Sequence, residues 1–290
     1  MPMNLDAVGS SIGPTTVAWS ADDALLYALG VGAGQDDPLA ELAYTTENTA
    51  GVEQRVLPTF GAILTQFRPP ADGSARPRIS FGSFDPAFLV HAEQSVALAR
   101  PLPAAGTMDV TTRLAGIYDK GSGALVVTEA FGRLPDDPED APTVVSRSAV
   151  FIRGEGGFGV KGPSDPWRLP EREPDLVLHA STRPDQALLY RLSGDHNPLH
   201  TDPAFAGRAG FDRPILHGMC TYGVVARRLL TELAGGDPAR FGSLRGRFSA
   251  PVLPGDALLI EVWGDGPEHR FRVVRTDGRL VLDRGAFVTR

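Results

Sequence analysis

Residues 215–236 read "ILHGMCTYGVVARRLLTELAGG". Ile215, Met219, Tyr222, Ala226, Leu229 and Leu233 recur at three- and four-residue steps, the spacing of one helical face. Gly235 and Gly236 end the run. This helix is apolar over most of its surface, more than a helix lying on the outside of a domain requires. Four β-branched or alternating segments follow it: "SLRGRFSAPV" (243–252), "ALLIEVWG" (257–264), "HRFRVVRT" (269–276) and "LVLDRGAFVTR" (280–290). An apolar helix followed by antiparallel strands predicts an α+β unit in which a curved sheet wraps the helix.

The first half repeats that order of elements. "SADDALLYALGVG" (20–32) reads as a helix, with Ser20 as N-cap and acids in the first turn. "LPTFGAILTQF" (57–67) is a short apolar helix with Pro58 near its start. Strand candidates follow at 95–102, 108–119, 123–134 and 143–154, separated by turns such as "DKGSG". Between the halves, 154–175 is rich in Gly, Pro and charge and reads as a linker. The expected division is 1–153, a linker at 154–175, and 176–290. Sequence identity between the halves is too low to establish a repeat.

Composition narrows the function. The chain has 290 residues, 42% hydrophobic and 22% charged, as in globular proteins. A net charge of −7 argues against a nucleic-acid partner. Lys120 and Lys161 are the only lysines, which we read as the codon bias of a GC-rich genome. The single Cys220 excludes an internal disulfide and a multi-cysteine metal site, and fits a reducing compartment. The sequence shows no signal peptide and no apolar run of the roughly 18–20 residues that span a bilayer. The C-terminal "AFVTR" is no peroxisomal address. A cytoplasmic bacterial protein without a membrane partner is the expectation.

The chemistry concentrates in "SGDHNPLH" (193–200) and "ILHGMC" (215–220). Turn formation alone accounts for Gly194, Asp195, Asn197 and Pro198. The neighbours add more. Asp202 reads as an N-cap with Pro203 at the first helical position, so His200 is held between a turn and a helix start. The short loop lets Asp195 and His200 converge on one water, an acid and a base able to divide proton transfer. Gly218 opens a buried helix, whose first-turn N–H groups have no internal partner and can hold an oxyanion. A metal held by Asp195, His196, His200 and Asp202 is a rival reading, although the spacing matches no ligand motif. A Cys220 nucleophile is another, disfavoured by an apolar helix interior. His217 reads as a core histidine orienting Gly218, and His196 as pointing outward.

"YRLSGDHNPLHTDPAFA" (190–206) followed by "RPILHGMCTYG" (213–223) resembles the hydratase motif of the MaoC-like, or (R)-specific enoyl-CoA hydratase 2, family. "YALGVGAG", "LPTFGAIL", "LVHAEQ" and "DKGSGA" resemble the N-terminal half of its two-domain members, so the similarity covers nearly the whole chain. It implies a double hot-dog fold, two antiparallel sheets each wrapping a central helix. It also implies a hydro-lyase that adds water reversibly to trans-2-enoyl-CoA, giving the (3R)-hydroxyacyl-CoA, with no cofactor and no metal. The family's catalytic Asp and His fall on Asp195 and His200, its amide on Asn197, and its oxyanion N–H on Gly218. The first half lacks the Asp–Asn–His set, and Ala92 stands where related sequences have Gly. One site per chain is therefore expected, with the first half accommodating the acyl tail. CoA phosphates would be met by Arg245 and Arg247, alternating along one strand, with Arg227 and Arg228 as weaker candidates. Tyr190 and His217 are further substrate-binding candidates. A homodimer is expected from the family. The alternatives are a hot-dog thioesterase, a dehydratase acting on a carrier protein, and a non-catalytic acyl-CoA-binding subunit. Acyl length and pathway stay open.

Overall fold

The computed structural model describes residues 3–264 and 266–290. In chain order its strands and helices are β1 (Ser11–Trp19), α1 (Ala21–Gly30), α2 (Leu42–Thr45), α3 (Phe60–Gln66), β2 (Leu89–Leu98), β3 (Gly106–Asp119), β4 (Gly123–Arg133), β5 (Val144–Arg153), β6 (Leu176–Ser181), α4 (Gln186–Tyr190), α5 (Pro203–Arg208), α6 (Gly218–Ala234), β7 (Phe241–Phe248), β8 (Ala257–Trp263), β9 (Glu268–Arg275) and β10 (Leu280–Thr289). The sheet order is β1-β3-β4-β5-β2-β7-β10-β9-β8-β6, antiparallel throughout.

The two expected sheets therefore meet edge to edge. β2 pairs with β7 from Glu93↔Arg247 to Ala97↔Ser243, making one ten-stranded sheet. Its two halves carry helices of unequal length. α6, with 17 residues, is buried on most sides, from Met219 through Arg227 and at Leu229, Leu230 and Ala234. α3 has only 7 residues, and Phe60 through Thr65 are all buried. The difference follows from sequence: after Phe67 comes "RPPADGSARP", which cannot continue a helix. α1 forms where its caps predict. Ser20 accepts from the Asp23 N–H and Asp23 accepts from the Ser20 N–H, a reciprocal capping box. The Tyr27 hydroxyl then ties α1 to Thr59 at 2.8 Å, just ahead of α3.

Two strands lie outside the sequence reading, β1 and β6, and they are the two outermost strands of the sheet. β1 contains Gly13 and Pro14 and β6 has 6 residues, features tolerated at an edge that weaken any strand pattern. The stretch 154–175 carries neither helix nor strand, yet it is fastened to the sheet. The Asp119 carboxylate accepts from the N–H groups of Gly121, Gly157 and Gly159. Trp167 Nε1 donates to the Gly285 carbonyl at 3.0 Å.

Candidate active site

Gly194 ends the helical turns after α4 with φ +124°. A side chain there would be strained and would also sit 3.3 Å from the Phe67 carbonyl oxygen at the end of α3. The chain then turns through Asp195. Its carboxylate accepts from the Asn197 N–H at 3.2 Å, and Asn197 Oδ1 accepts from the Leu199 N–H at 3.0 Å. Pro198 starts the single 3-10 turn that ends at His200. Asp202 caps α5 through the N–H groups of Ala204 and Phe205. Asn197 is exposed and its side chain serves the turn, so it acts on Asp195 through its own N–H.

This folding brings Asp195, His200 and His217 together. One ligand-type atom from each lies within 4.8 Å of the others. His200 Nδ1 donates to the Ile215 carbonyl at 2.9 Å. A carbonyl only accepts, so the neutral ring carries its proton on Nδ1 and leaves Nε2 bare. Burial pushes the His200 pKa below the ordinary histidine value, against the opposing pull of the Ile215 carbonyl and the Asp195 charge. His217, fully buried, donates from Nε2 to the Asp195 backbone carbonyl at 3.1 Å. Burial, and then the neighbouring His200, push its pKa down to about 2. The two rings stack with centroids 3.8 Å apart.

Gly218 is the first residue of α6. Its N–H donates to no group of the chain among the described residues. A Cβ at this position would lie 3.2 Å from the Phe248 ring, so glycine keeps the helix start close to β7. His91 reaches the same region from the first half. Its ring lies 4.9 Å from that of Phe248, and Nε2 lies 3.1 Å from both the Glu93 carbonyl and Ser148 Oγ. Burial lowers its pKa to about 4, while Asp195 is close enough to pull the other way. Nothing in the sequence marks out His91, because a single histidine in a strand gives no sign of what it faces across the junction of two halves.

The other candidates lie elsewhere. Leu244 and Gly246 of β7 are buried, so Arg245 and Arg247 point to the opposite face. There Arg247 makes a two-point ion pair with Asp283, and Arg245 lies 3.8 Å from Asp165. With Arg147 and Arg284 they line an outer-face hollow of about 120 Å³. The structure does not bring them to the Asp195–His200 pair. Arg227 is buried against Glu41 and the Val31 carbonyl, and Arg228 pairs with Glu232 within α6. Tyr190 is fully buried behind His217, ring centroids 4.9 Å apart. His196 is exposed. The Cys220 thiol is buried and its pKa is driven upward by desolvation, which removes it as a nucleophile.

The donor types at the trio suit a divalent ion, but their directions do not. Two imidazoles bound tetrahedrally at about 2.1 Å hold their ring centres about 5 Å apart, and here the rings are stacked at 3.8 Å. What the arrangement can do is proton transfer. It offers a neutral imidazole with a bare nitrogen, a carboxylate fixed by an N–H, and a helix-start N–H beside them.

Known proteins carry the same organisation. The family model described as MaoC like domain matches residues 167–284, and that described as MFE-2 hydratase 2 N-terminal domain matches residues 18–154. The chain is 44% identical over 296 residues to 3-hydroxyacyl-thioester dehydratase Y of Mycobacterium tuberculosis, covering 99% of this chain and 98% of that protein. It is 40% identical to Enoyl-CoA hydratase ChsH3 of the same organism, covering 92% and 91%. Among solved structures, the MaoC-like dehydratase from Phytophthora capsici superposes with a TM-score of 0.84 at 35% identity, covering 99% and 98% of the two chains.

Proposed function

The chain belongs to the MaoC-like family of double hot-dog hydro-lyases, and from that premise we propose that it is an (R)-specific 2-enoyl-CoA hydratase, converting trans-2-enoyl-CoA to the (3R)-3-hydroxyacyl-CoA. The observation that carries this reading is the convergence of Asp195 and His200 beside the start of α6, in the half that holds the whole motif.

In the substrate the thioester carbonyl is conjugated to the double bond. Attack of water at Cβ therefore moves charge onto the thioester oxygen. The Gly218 N–H, with the helix dipole behind it, would hold that charge; loss of such a donor costs about 10²–10³ in rate. Water would sit between Asp195 and His200. His200 Nε2, bare in its neutral form, takes one proton as the oxygen bonds to Cβ. The proton is passed across the pair and delivered at Cα from the Asp195 side, so the enzyme ends as it began. Positioned acid–base groups of this kind contribute about 10²–10⁴-fold. Every step is reversible, so the same groups run the dehydration of a 3-hydroxyacyl thioester. The scheme needs no cofactor, and the CoA thioester is the substrate.

The test is hydration of crotonyl-CoA and longer trans-2-enoyl-CoA thioesters, followed by chiral analysis of the product. The (3R) alcohol is expected. A (3S) product overturns the stereochemical reading, and release of free CoA without hydration points instead to a thioesterase. A homodimer in the cytoplasm fits this reading; light scattering of the purified chain at twice the monomer mass would support the first part.

A further inference from the structure

We infer that His217 is a positioning residue for this reaction: its imidazole clamps the main chain at Asp195 and forms the wall against which His200 is held. The inference rests on the hydratase reading above and concerns a residue that touches neither the water nor the thioester in that scheme.

His217 is the N-cap residue of α6, a place where Ser, Thr, Asp or Asn usually caps the helix with its side chain. His217 makes no such cap bond. Its side chain turns away from the helix instead. Nε2 donates to the carbonyl of Asp195, 22 residues earlier, joining the motif loop to the helix start. One face of the ring lies on His200, centroids 3.8 Å apart and planes 30° from parallel. Tyr190 lies 4.9 Å away at 55°. The ring is thus held between two others, and Nδ1 is buried with no polar partner among the described residues.

The bond to a carbonyl fixes the tautomer, with hydrogen on Nε2 and a bare Nδ1. That has two effects on the chemistry. The carbonyl clamp fixes the residue whose carboxylate takes part in proton transfer. The stacked ring shields one face of His200 from water and stays uncharged, so no second positive charge opposes the proton that His200 accepts. Besides His200, Asp195 and Tyr190, the titratable groups around His217 are Arg191 and His196, and both favour the neutral ring. Burial works in the same direction.

Two substitutions separate the clamp from the wall. His217→Phe keeps a flat ring against His200 and removes the donor. We expect kcat on crotonyl-CoA to fall about 10- to 100-fold, as when a reacting group is displaced by about 1 Å, with KM unchanged. His217→Gln keeps a donor and removes the ring. It should recover part of kcat, while the acid limb of the pH profile moves up toward the ordinary histidine value as water reaches His200. Wild-type kcat and an unshifted profile in both variants would overturn the inference, and so would a raised KM at normal kcat, the mark of direct substrate contact. The wild-type protein gives a test independent of variant folding and of activity. Nitrogen NMR should find His217 protonated on Nε2 alone and untitrated between about pH 5 and pH 8. A proton on Nδ1, or a titration in that range, rejects the clamp. An inactive wild type would instead reject the hydratase reading, leaving the tautomer to be decided by the spectrum.

Discussion

The imidazoles of His200 and His217 lie face to face, ring centroids 3.8 Å apart. Two rings this close do not both hold a proton, and burial pushes both pKa values down. His200 is therefore neutral at pH 7 and its Nε2 is available as a base. Because the base form is the unprotonated one, a lowered pKa keeps the enzyme active to more acidic pH. The acid limb of kcat/KM should lie below about pH 6.5, the ordinary histidine value. A rate profile from about pH 4 to pH 8 checks this, and a limb at or above the ordinary value removes His200 as the base.

Asp195→Asn and His200→Gln remove the groups proposed for acid–base chemistry with little change of shape. Each should lower kcat on crotonyl-CoA by about 10²–10⁴-fold. Circular dichroism should be that of the wild type, since Asp195 is only half-buried and His200 sits in a short turn. Near-normal turnover by either variant removes that residue from the mechanism.

Gly218→Ala tests the oxyanion N–H through sterics. The added Cβ would lie 3.2 Å from Phe248, so the helix start or the ring must shift by a few tenths of an ångström. The expected result is a fall in kcat of about tenfold or more with the fold kept. Adding Phe248→Leu to Gly218→Ala relieves the contact and should return part of the loss. No change in Gly218→Ala would mean that the N–H is not placed at the thioester oxygen.

Much of the fold was legible because its signals are local. The three- and four-residue steps of Met219, Tyr222, Ala226 and Leu229, the Ser20 N-cap and the Asp202–Pro203 helix start each link residues about one turn apart. The Asp195–His200 pair was legible for the same reason, since one short loop holds both. Contacts across the junction were not. The β2–β7 pairing that fuses the halves and the approach of His91 to Phe248 join residues with no shared motif. The arginines show the limit of alternation. It placed Arg245 and Arg247 on one face but not on which one, and the buried Leu244 and Gly246 assign them to the side away from α6.

Arg247 accordingly serves a different prediction from the one its motif suggested. Its guanidinium is held by Asp283 on the outer face, and both side chains keep some exposure. Arg247→Ala should leave KM for CoA substrates unchanged and lower stability by no more than about 1 kcal/mol, as expected of a partly screened pair. A rise in KM of about tenfold, about 1.4 kcal/mol of binding, would return Arg247 to the CoA site.

Three histidines tie stability to pH in one direction. The pKa values of His91, His200 and His217 are all lowered in the fold, to about 4 for His91 and about 2 for His217. In the unfolded chain each titrates near 6.5. Below that value the unfolded state binds protons that the folded state refuses, so stability present above about pH 6.5 is lost as pH falls. For His91 the loss runs down to about pH 4, and for His217 it continues toward about pH 2. Each refused proton contributes about 1.4 kcal/mol per pH unit within its window. Urea unfolding at intervals between about pH 7 and pH 4.5 should show stability falling as pH falls, more steeply once pH drops below about 6.5. His217→Gln removes one of those groups and, by letting water reach His200, weakens a second, so it should flatten the slope by at least one proton, whatever its effect on the stability at pH 7. A wild-type slope near zero would mean that these rings take up protons inside the fold, and the neutral His200–His217 stack would not stand.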